Sequence, residues 1–443
     1  MLARCVRRVL VRFSTVRSRR CHRGLCSAAP AEGSEPVRTL LQLCVDRHYI
    51  FPGQTNAELC RGGFGCVYGP LGVELRRNLL EQWWYSVTGS RARVFGINTL
   101  SSSPERAGVG PRIIESKHLQ RLWDEGDQSR EQLLQELQRC WSVRTNLLQG
   151  ALEQFVPSLQ LVSRKLPFGL AETGSCFRPP DGSGCSAEVT QTSLVWFCSP
   201  RTSSQWLDHW ARQRLKWWRK FALMPSEFSS SEVPQEELEG AESRVVKISY
   251  NFPWGCESLE TLSCRGDTEL LHTHKGVHSK LQFRDGRKSV PHVVSVSGNV
   301  DRGLMAFLSN SLQQLKREDG RKKLQQRRVL KLHPTLAPIK VALDISKGAT
   351  MELRQVCEGL LQEFLEAKIS TWPGFLETIP SSVEQLSAKY DEMGVLFMVV
   401  IGENTLESGL LQVRSRDTTI RETVHISEIR SFLSRYVSAA SSC

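Results

Sequence analysis

The sequence of 443 residues is long enough for two or three domains whose cores need neither disulfide nor metal staples. A hydrophobic share of 40% and a charged share of 23% exclude a disordered tail, a collagen-like fibre and a small cysteine scaffold, and the longest apolar run of the body, residues 395–401, is too short to span a bilayer. Lysine and arginine number 58 against 46 acids, and the surplus of +12 is concentrated in residues 1–31, 201–223 and 316–330, which favours a polyanionic partner unless those stretches are solvated faces.

In chain order, residues 1–29 are arginine-rich and acid-free, with Leu2, Val6, Val9, Leu10 and Phe13 at spacings of three and four. That is the pattern of a mitochondrial transit peptide, with a basic nucleic-acid-binding arm as the alternative. Residues 37–48 read as a helix with Leu40, Leu41, Cys44 and Val45 on one side. The glycine-rich turn at 62–70 lacks both the GKS/GKT ending and the GxGxxG spacing, so it is neither nucleotide motif. A helix follows, with Leu71, Leu75, Leu79 and Trp83 on its apolar stripe.

Residues 112–165 are expected to be helical almost throughout. Ser129 and Gln132 suggest a capping box ahead of Leu133, Leu134, Leu137 and Trp141. A second helix from about 143 carries Leu147, Leu148, Leu152, Phe155 and Val156. This helical insert either packs on its host or pairs with a second copy as a four-helix bundle. On the second choice, Leu133, Leu137, Trp141, Leu148 and Leu152 form the dimer interface.

Residues 192–198 read as a short strand and 205–221 as a helix dense in tryptophans and cations. Its aromatics could stack on single strands, or form a core stripe behind a wet cationic face. Residues 226–243 read as a mobile loop. Residues 292–296 read as a strand, 304–315 as a helix and 316–328 as a basic linker. Beyond 331, strands and helices alternate: strands at 340–343, 369–372, 395–401 and 410–414, helices at 351–367, 383–393 and 427–436. The 14 cysteines include no CxxC and fit unpaired thiols in a reducing compartment. His272, His274 and His278 lack a clear fourth ligand, so a polar loop is expected there rather than a metal site.

Three segments stand in a telling order: the Gly-Pro helix at 69–84, LPFGLAETGSCFR at 166–178, and Gly298-Asn299-Val300-Asp301-Arg302-Gly303. They resemble motifs 1, 2 and 3 of class II aminoacyl-tRNA synthetases of the glycyl/prolyl/threonyl group. Residues 336–342 through 413–418 resemble the anticodon-binding domain of those enzymes. The implied fold is α+β: a class II synthetase-like antiparallel sheet domain over 37–330 with the helical insert, then an anticodon-binding-like mixed α/β domain over 331–443. In the working enzymes motif 2 supplies an Arg and a nearby Glu that hold ATP. Arg178 stands at that Arg, but Pro180 stands where the Glu would be. Arg302 matches the ATP-binding Arg of motif 3, and a structural ion pair with Asp301 or a neighbour is the other role open to it. Half a site cannot supply the oriented electrostatics of amino-acid activation. Arg178 and Arg302 are therefore read as vestigial, with no catalytic residue, metal or cofactor expected.

A narrower resemblance, carried by residues 71–76, 193–197, 205–208, 250–255 and 329–334, is to the family of accessory subunits of the mitochondrial DNA polymerase. It implies a non-catalytic homodimer of the mitochondrial matrix and nucleoid, with no membrane partner. Such a subunit binds duplex and primer–template DNA and the polymerase catalytic subunit, raising template affinity and processivity. On that reading Arg321, Lys322, Lys323, Arg327 and Arg328 are the chief DNA contacts, and Arg214, Lys216, Arg219 and Lys220 come second, all through phosphates. The less basic C-terminal domain is the expected protein-docking surface. The alternatives from other classes are an active mitochondrial synthetase and a catalytically silent RNA-binding module.

Overall fold

The computed structural model describes residues 35–51, 67–89, 93–103, 111–124, 131, 135, 140–177, 188–238, 240, 242–276, 278–285, 287–318, 324–346, 350–377 and 382–442. Two sheets organise them. The first has seven strands: β1 (Val94–Gly96), β2 (Phe168–Phe177), β3 (Glu188–Cys198), β4 (Phe228–Glu232), β5 (Arg244–Phe252), β6 (Gly255–Gly266) and β7 (His292–Asn299). Their spatial order is β1-β2-β3-β7-β6-β5-β4. Every neighbour is antiparallel except β1 with β2.

Side chains alternate across this sheet, as the two-residue period of a strand requires. Leu194, Trp196, Leu262, Val294 and Val296 point into the main core. That core is covered by α1 (Glu35–Asp46), α2 (Pro70–Trp84), α3 (Ser203–Lys220) and α4 (Val300–Ser311). Val195, Phe197 and Val293 face the opposite side and join Phe155, Phe168 and Leu152 in a second cluster. Leu71, Leu75, Leu79 and Trp83 are the buried stripe of α2 as the spacing predicts. In α3, Trp210, Trp217 and Trp218 are buried, so the aromatics are a core stripe rather than a stacking platform.

Several expectations change. The helix expected to reach residue 315 ends at Ser311, and the expected basic linker is an antiparallel hairpin, β8 (Leu312–Glu318) with β9 (Leu324–Leu330). Across that ladder Gln314 faces Arg328, Leu315 faces Arg327, Lys316 faces Gln326 and Arg317 faces Gln325. Each cation meets a neutral residue, so the charge run does not oppose pairing. The expected mobile loop at 226–243 contains the edge strand β4, anchored at Phe228. In the expected helical insert, Trp141–Val143 is a strand between Ser102–Ser103 and Arg112–Ile113. Ser142 pairs on both sides, which holds the segment extended. The insert does contain a helix at Ser116–Asp124, and the helix expected from 143 begins at Leu148.

The second sheet holds β10 (Val341–Ile345), β11 (Thr371–Pro373), β12 (Phe397–Ile401), β13 (Leu410–Ser415) and β14 (Arg421–His425), in the order β11-β10-β12-β13-β14. It is mixed: β10 runs parallel to both neighbours, and the far strands are antiparallel. Helix α5 (Met351–Glu366) buries Leu353, Cys357, Leu360 and Phe364. Helix α6 (Val383–Glu392) opens with a Ser382/Gln385 capping box. The two sheets share one continuous core. Their junction is tied by Arg47 on Glu392 at 2.6 Å, by Tyr49 on the Met393 carbonyl, and by Arg416 on the carbonyls of Leu330, Leu332 and Gly394. Among the described residues seven cysteines stand outside any disulfide, and no helix is long and apolar enough to cross a membrane.

Candidate nucleic-acid interface

The motif 3 segment lies where β7 turns into α4. The Asn299 side chain caps the helix by accepting from the Arg302 amide at 2.9 Å. Gly298 is required there, because a Cβ would fall 2.6 Å from Thr192 Oγ1. Asp301 is buried and accepts from Tyr68 Oη at 2.5 Å and from the Thr190 amide at 2.6 Å. Burial raises its carboxyl above the usual range, against those bonds. Arg302 does not pair with Asp301. Its guanidinium meets Glu257 at 3.0 Å and the Ser258 carbonyl at 2.7 Å. Burial likewise raises Glu257, opposed by Arg302 and by the Trp254 indole.

The side of the sheet that carries the second cluster is also charge-matched from within. Glu172 accepts from Arg144 at 2.8 Å and from the amide and hydroxyl of Thr99. Gly174 makes room, since a Cβ there would lie 2.0 Å from the Arg144 guanidinium. A neighbouring cleft of about 400 Å³ has Ser193, Ser295 and Ser297 on its floor. Its Arg265 is held by Glu242 at 2.6 Å and Glu269 at 2.8 Å. His274 Nε2 donates to the Leu152 carbonyl at 2.8 Å, which commits that ring nitrogen to the fold.

The predicted DNA-contact residues divide sharply. Arg214 is a correction: it is 1% exposed, lies 2.8 Å from Glu260, donates to Ser86 Oγ and sits 4.3 Å from the centre of the Trp217 ring. It points into the core two residues from the exposed Lys216 and reaches no solvent phosphate. Arg219 is exposed, but its guanidinium brackets the Phe228 carbonyl at 3.0 and 2.7 Å, fixing the edge strand. Lys216 and Lys220 are exposed, and among the described residues neither pairs with a carboxylate. Arg327 pairs with Asp391, and Arg328 Nε lies 2.9 Å from Glu392, so both help dock the hairpin on α6. Arg321, Lys322 and Lys323 lie outside the described residues, as does Arg178 of motif 2.

The fold brings the end of α3 close to the foot of the hairpin. Phe221, at the end of α3, meets the His333 ring edge-on at 5.2 Å, just beyond β9. Burial first, and then Lys220, Lys340 and Arg416, push the His333 imidazole down to about 4. Asn310, near the end of α4 and next to the base of the hairpin, accepts from the amides of Leu223 and Met224 at 2.7 and 3.1 Å. The wet end of α3 and the hairpin therefore share one rim. No sequence signal singled out Asn310. Glu260 and Arg144 were equally silent, because their partners lie 46 and 28 residues away and meet only through sheet register.

Of the predicted dimer residues, Trp141 is exposed and stands opposite the exposed Ile113 across a strand pair. Leu148 is half-buried on the cleft wall. Leu152 is a correction, since it is 1% exposed and packed with Phe155 in this chain's own core. Leu133 and Leu137 lie outside the described residues.

The family described as "Anticodon binding domain" matches residues 340–436, the second sheet and its helices. The chain is 49% identical to DNA polymerase subunit gamma-2 of Mus musculus, over 94% of this chain and 95% of that protein. It is 48% identical to DNA polymerase subunit gamma-2, mitochondrial, of Xenopus laevis, over 94% and 90%. It is 26% identical to a glycine–tRNA ligase of Corynebacterium glutamicum, over 90% and 98%. The synthetase-like fold is thus shared with a ligase along nearly its whole length.

Proposed function

The chain belongs to the DNA polymerase subunit gamma-2 family, and on that premise we propose that it is the non-catalytic processivity subunit of the mitochondrial DNA polymerase. It binds duplex and primer–template DNA through phosphates and attaches to the catalytic subunit. The observation that carries the reading is the placement of charge. The carboxylates Glu172, Glu257 and Glu260 are each held by an arginine of this same chain, whereas Lys216 and Lys220 on the same helix as Arg214 stand in water. A polymerase bound to such a rim gains phosphate contacts without new sequence preference, and the gain falls mainly on the rate of leaving.

A division near residue 330 assigns roles. The synthetase-like part grips DNA, with Trp141 and Ile113 marking the surface on which two copies meet. The acidic part beyond it, net −3 over 331–443, repels DNA and offers its sheet and helices to the catalytic subunit. Residues 1–29 direct the chain to mitochondria, in keeping with its similarity to the mitochondrial DNA polymerase subunit gamma-2 of Xenopus laevis. Primer extension by the catalytic subunit on a long template tests the proposal. Product length should rise when the mature chain is added, and no rise removes the proposal. One observation favours a second reading, an active synthetase: the ligase similarity spans almost the entire ligase. ATP–pyrophosphate exchange over a panel of amino acids separates the two, and exchange at a useful rate would favour the ligase reading.

A further inference from the structure

Helix α3 runs beside a strand that is the last of its sheet among the described residues. That strand, β4, holds Phe228, three serines and Glu232. Arg219 of α3 grips the Phe228 carbonyl, and Asp208 of α3 meets Arg244, which also holds Glu232. The helix covers about 16 Å from Asp208 to Arg219, and the strand about 13 Å from Glu232 to Phe228, so the two are matched end to end. Between those ties lie Arg212 on the helix and Ser230 on the strand. Phe228 is buried on the α3 side and Glu232 reaches the arginine bound to α3, so the two-residue period turns the exposed Ser230 the same way. Val233 donates inward to the Val245 carbonyl while Arg219 takes the Phe228 carbonyl from outside, and the same period leaves the Ser230 amide on the open edge. Charge along this seam is one-sided. Asp208 is the sole acid of α3 and Glu232 the sole acid of β4, and Arg244 takes both, at 2.7 and 2.5 Å. Arg212, Lys216 and Lys220 follow at every fourth residue, are exposed, and pair with no carboxylate among the described residues.

We propose that Arg212 and Ser230 are phosphate contacts of a duplex, extending the row of Lys216 and Lys220 onto the sheet edge. The Arg212 guanidinium supplies charge, and the Ser230 hydroxyl and amide supply neutral donors beside it. The occupant follows from complementarity. Neither α3 nor β4 exposes a large apolar side chain, and neither keeps a carboxylate without a cation of its own. A protein partner would find no apolar core to bury there, whereas an anionic backbone finds charge and donors along one line. Serine hydroxyls and backbone amides are ordinary partners of DNA phosphates. The inference rests on the duplex-binding reading above and adds two contacts to it.

Fluorescence anisotropy of a labelled blunt duplex with the mature full-length chain, over a salt series, tests the seam. Arg212→Ala should make the dependence of log affinity on log salt shallower by about 1, and Arg212→Lys should restore it. Ser230→Asp sets a carboxylate where a phosphate would lie and should weaken binding roughly tenfold at low salt. Ser231→Asp adds the same charge on the opposite face of the strand and should weaken binding by under about twofold. Thermal melting of each variant checks that the fold is retained, and exposed positions should leave it so. If the wild-type chain binds duplex while Arg212→Ala keeps the slope and Ser230→Asp keeps the affinity, the inference fails alone. Equal losses in Ser230→Asp and Ser231→Asp would reduce the effect to net charge and overturn the contact. If the variants keep their DNA affinity but lose the polymerase catalytic subunit, the seam is a protein contact and the inference is again overturned. If the wild-type chain binds no duplex, the duplex-binding reading fails and takes the seam with it.

Discussion

The buried and wet faces of helix α3 treat the same charge in opposite ways. Arg214 is sealed against Glu260 and the Trp217 ring, whereas Lys216 and Lys220 look into solvent. The inner arginine serves the fold, because a guanidinium beneath three tryptophan-bearing turns must be matched by a carboxylate and further acceptors. The outer lysines serve whatever arrives from solution. The same contrast separates Glu172, Glu257 and Arg265, each matched by charges of this same chain, from the lysines at the wet end of α3. A count of cations in residues 201–223 therefore overstates the surface charge. Register decides which cations remain available.

The sharpest way to break this comparison is to remove its inner member. Arg214→Met leaves Glu260 buried without its counter-charge and should cost about 3–5 kcal/mol in denaturant unfolding. The duplex affinity of the protein that remains folded should not change. A stable Arg214→Met protein with weakened DNA binding would reverse the assignment of the two faces.

Next in size is acid sensitivity at the rim. The His333 imidazole is held down at about 4, from an ordinary 6.5, by burial first and then by Lys220, Lys340 and Arg416. The unfolded chain binds a proton near the ordinary value and the folded chain does not. Stability present above pH 6.5 is therefore lost as pH falls toward 4, by up to about 3 kcal/mol. His333→Gln should remove that part of the pH dependence. Unfolding titrations of the two proteins between pH 4 and 7 that run parallel would rule it out.

Much of the fold was legible because apolar period and burial coincide. Leu353, Cys357, Leu360 and Phe364 recur at helical spacing and are the buried face of α5. What stayed hidden is equally physical. The strands β5 and β6 mix Lys247, Ser249, Glu257 and Ser258 into their apolar residues, so neither alternation nor an apolar run announces them. Strand β4 is Phe228 followed by three serines and a glutamate, and its identity comes from the neighbouring β5 ladder. The hairpin was masked by its own charge, since a basic run looks like a solvated tether until each cation is seen opposite a neutral partner. At the site, the sequence showed where cations lie along the chain. It could not show that Glu260 reaches Arg214, nor that Asn310 gathers two distant stretches onto one rim.

The wet members of the comparison supply the third test. Lys216→Ala with Lys220→Ala should leave melting unchanged and make the salt slope of duplex binding shallower by about 2, one phosphate for each lysine. An unchanged slope would place the DNA elsewhere and leave the lysines as solvating residues at a helix end.

The smallest effect distinguishes docking from contact on the hairpin. Arg327 pairs with Asp391, but Asp391 also holds Arg414 through two bonds of 3.0 and 3.1 Å. Arg327→Ala therefore strands no buried charge and should cost under about 1 kcal/mol. Its expected signature is local: faster amide hydrogen exchange in β8 and β9, with the salt slope of duplex binding intact. If the slope falls by about 1 while exchange stays unchanged, Arg327 leaves Asp391 for a phosphate when DNA binds. The hairpin would then belong with Lys216 and Lys220 rather than with Arg214, and the line between structural and ligand-facing cations would run through α6 instead of along α3.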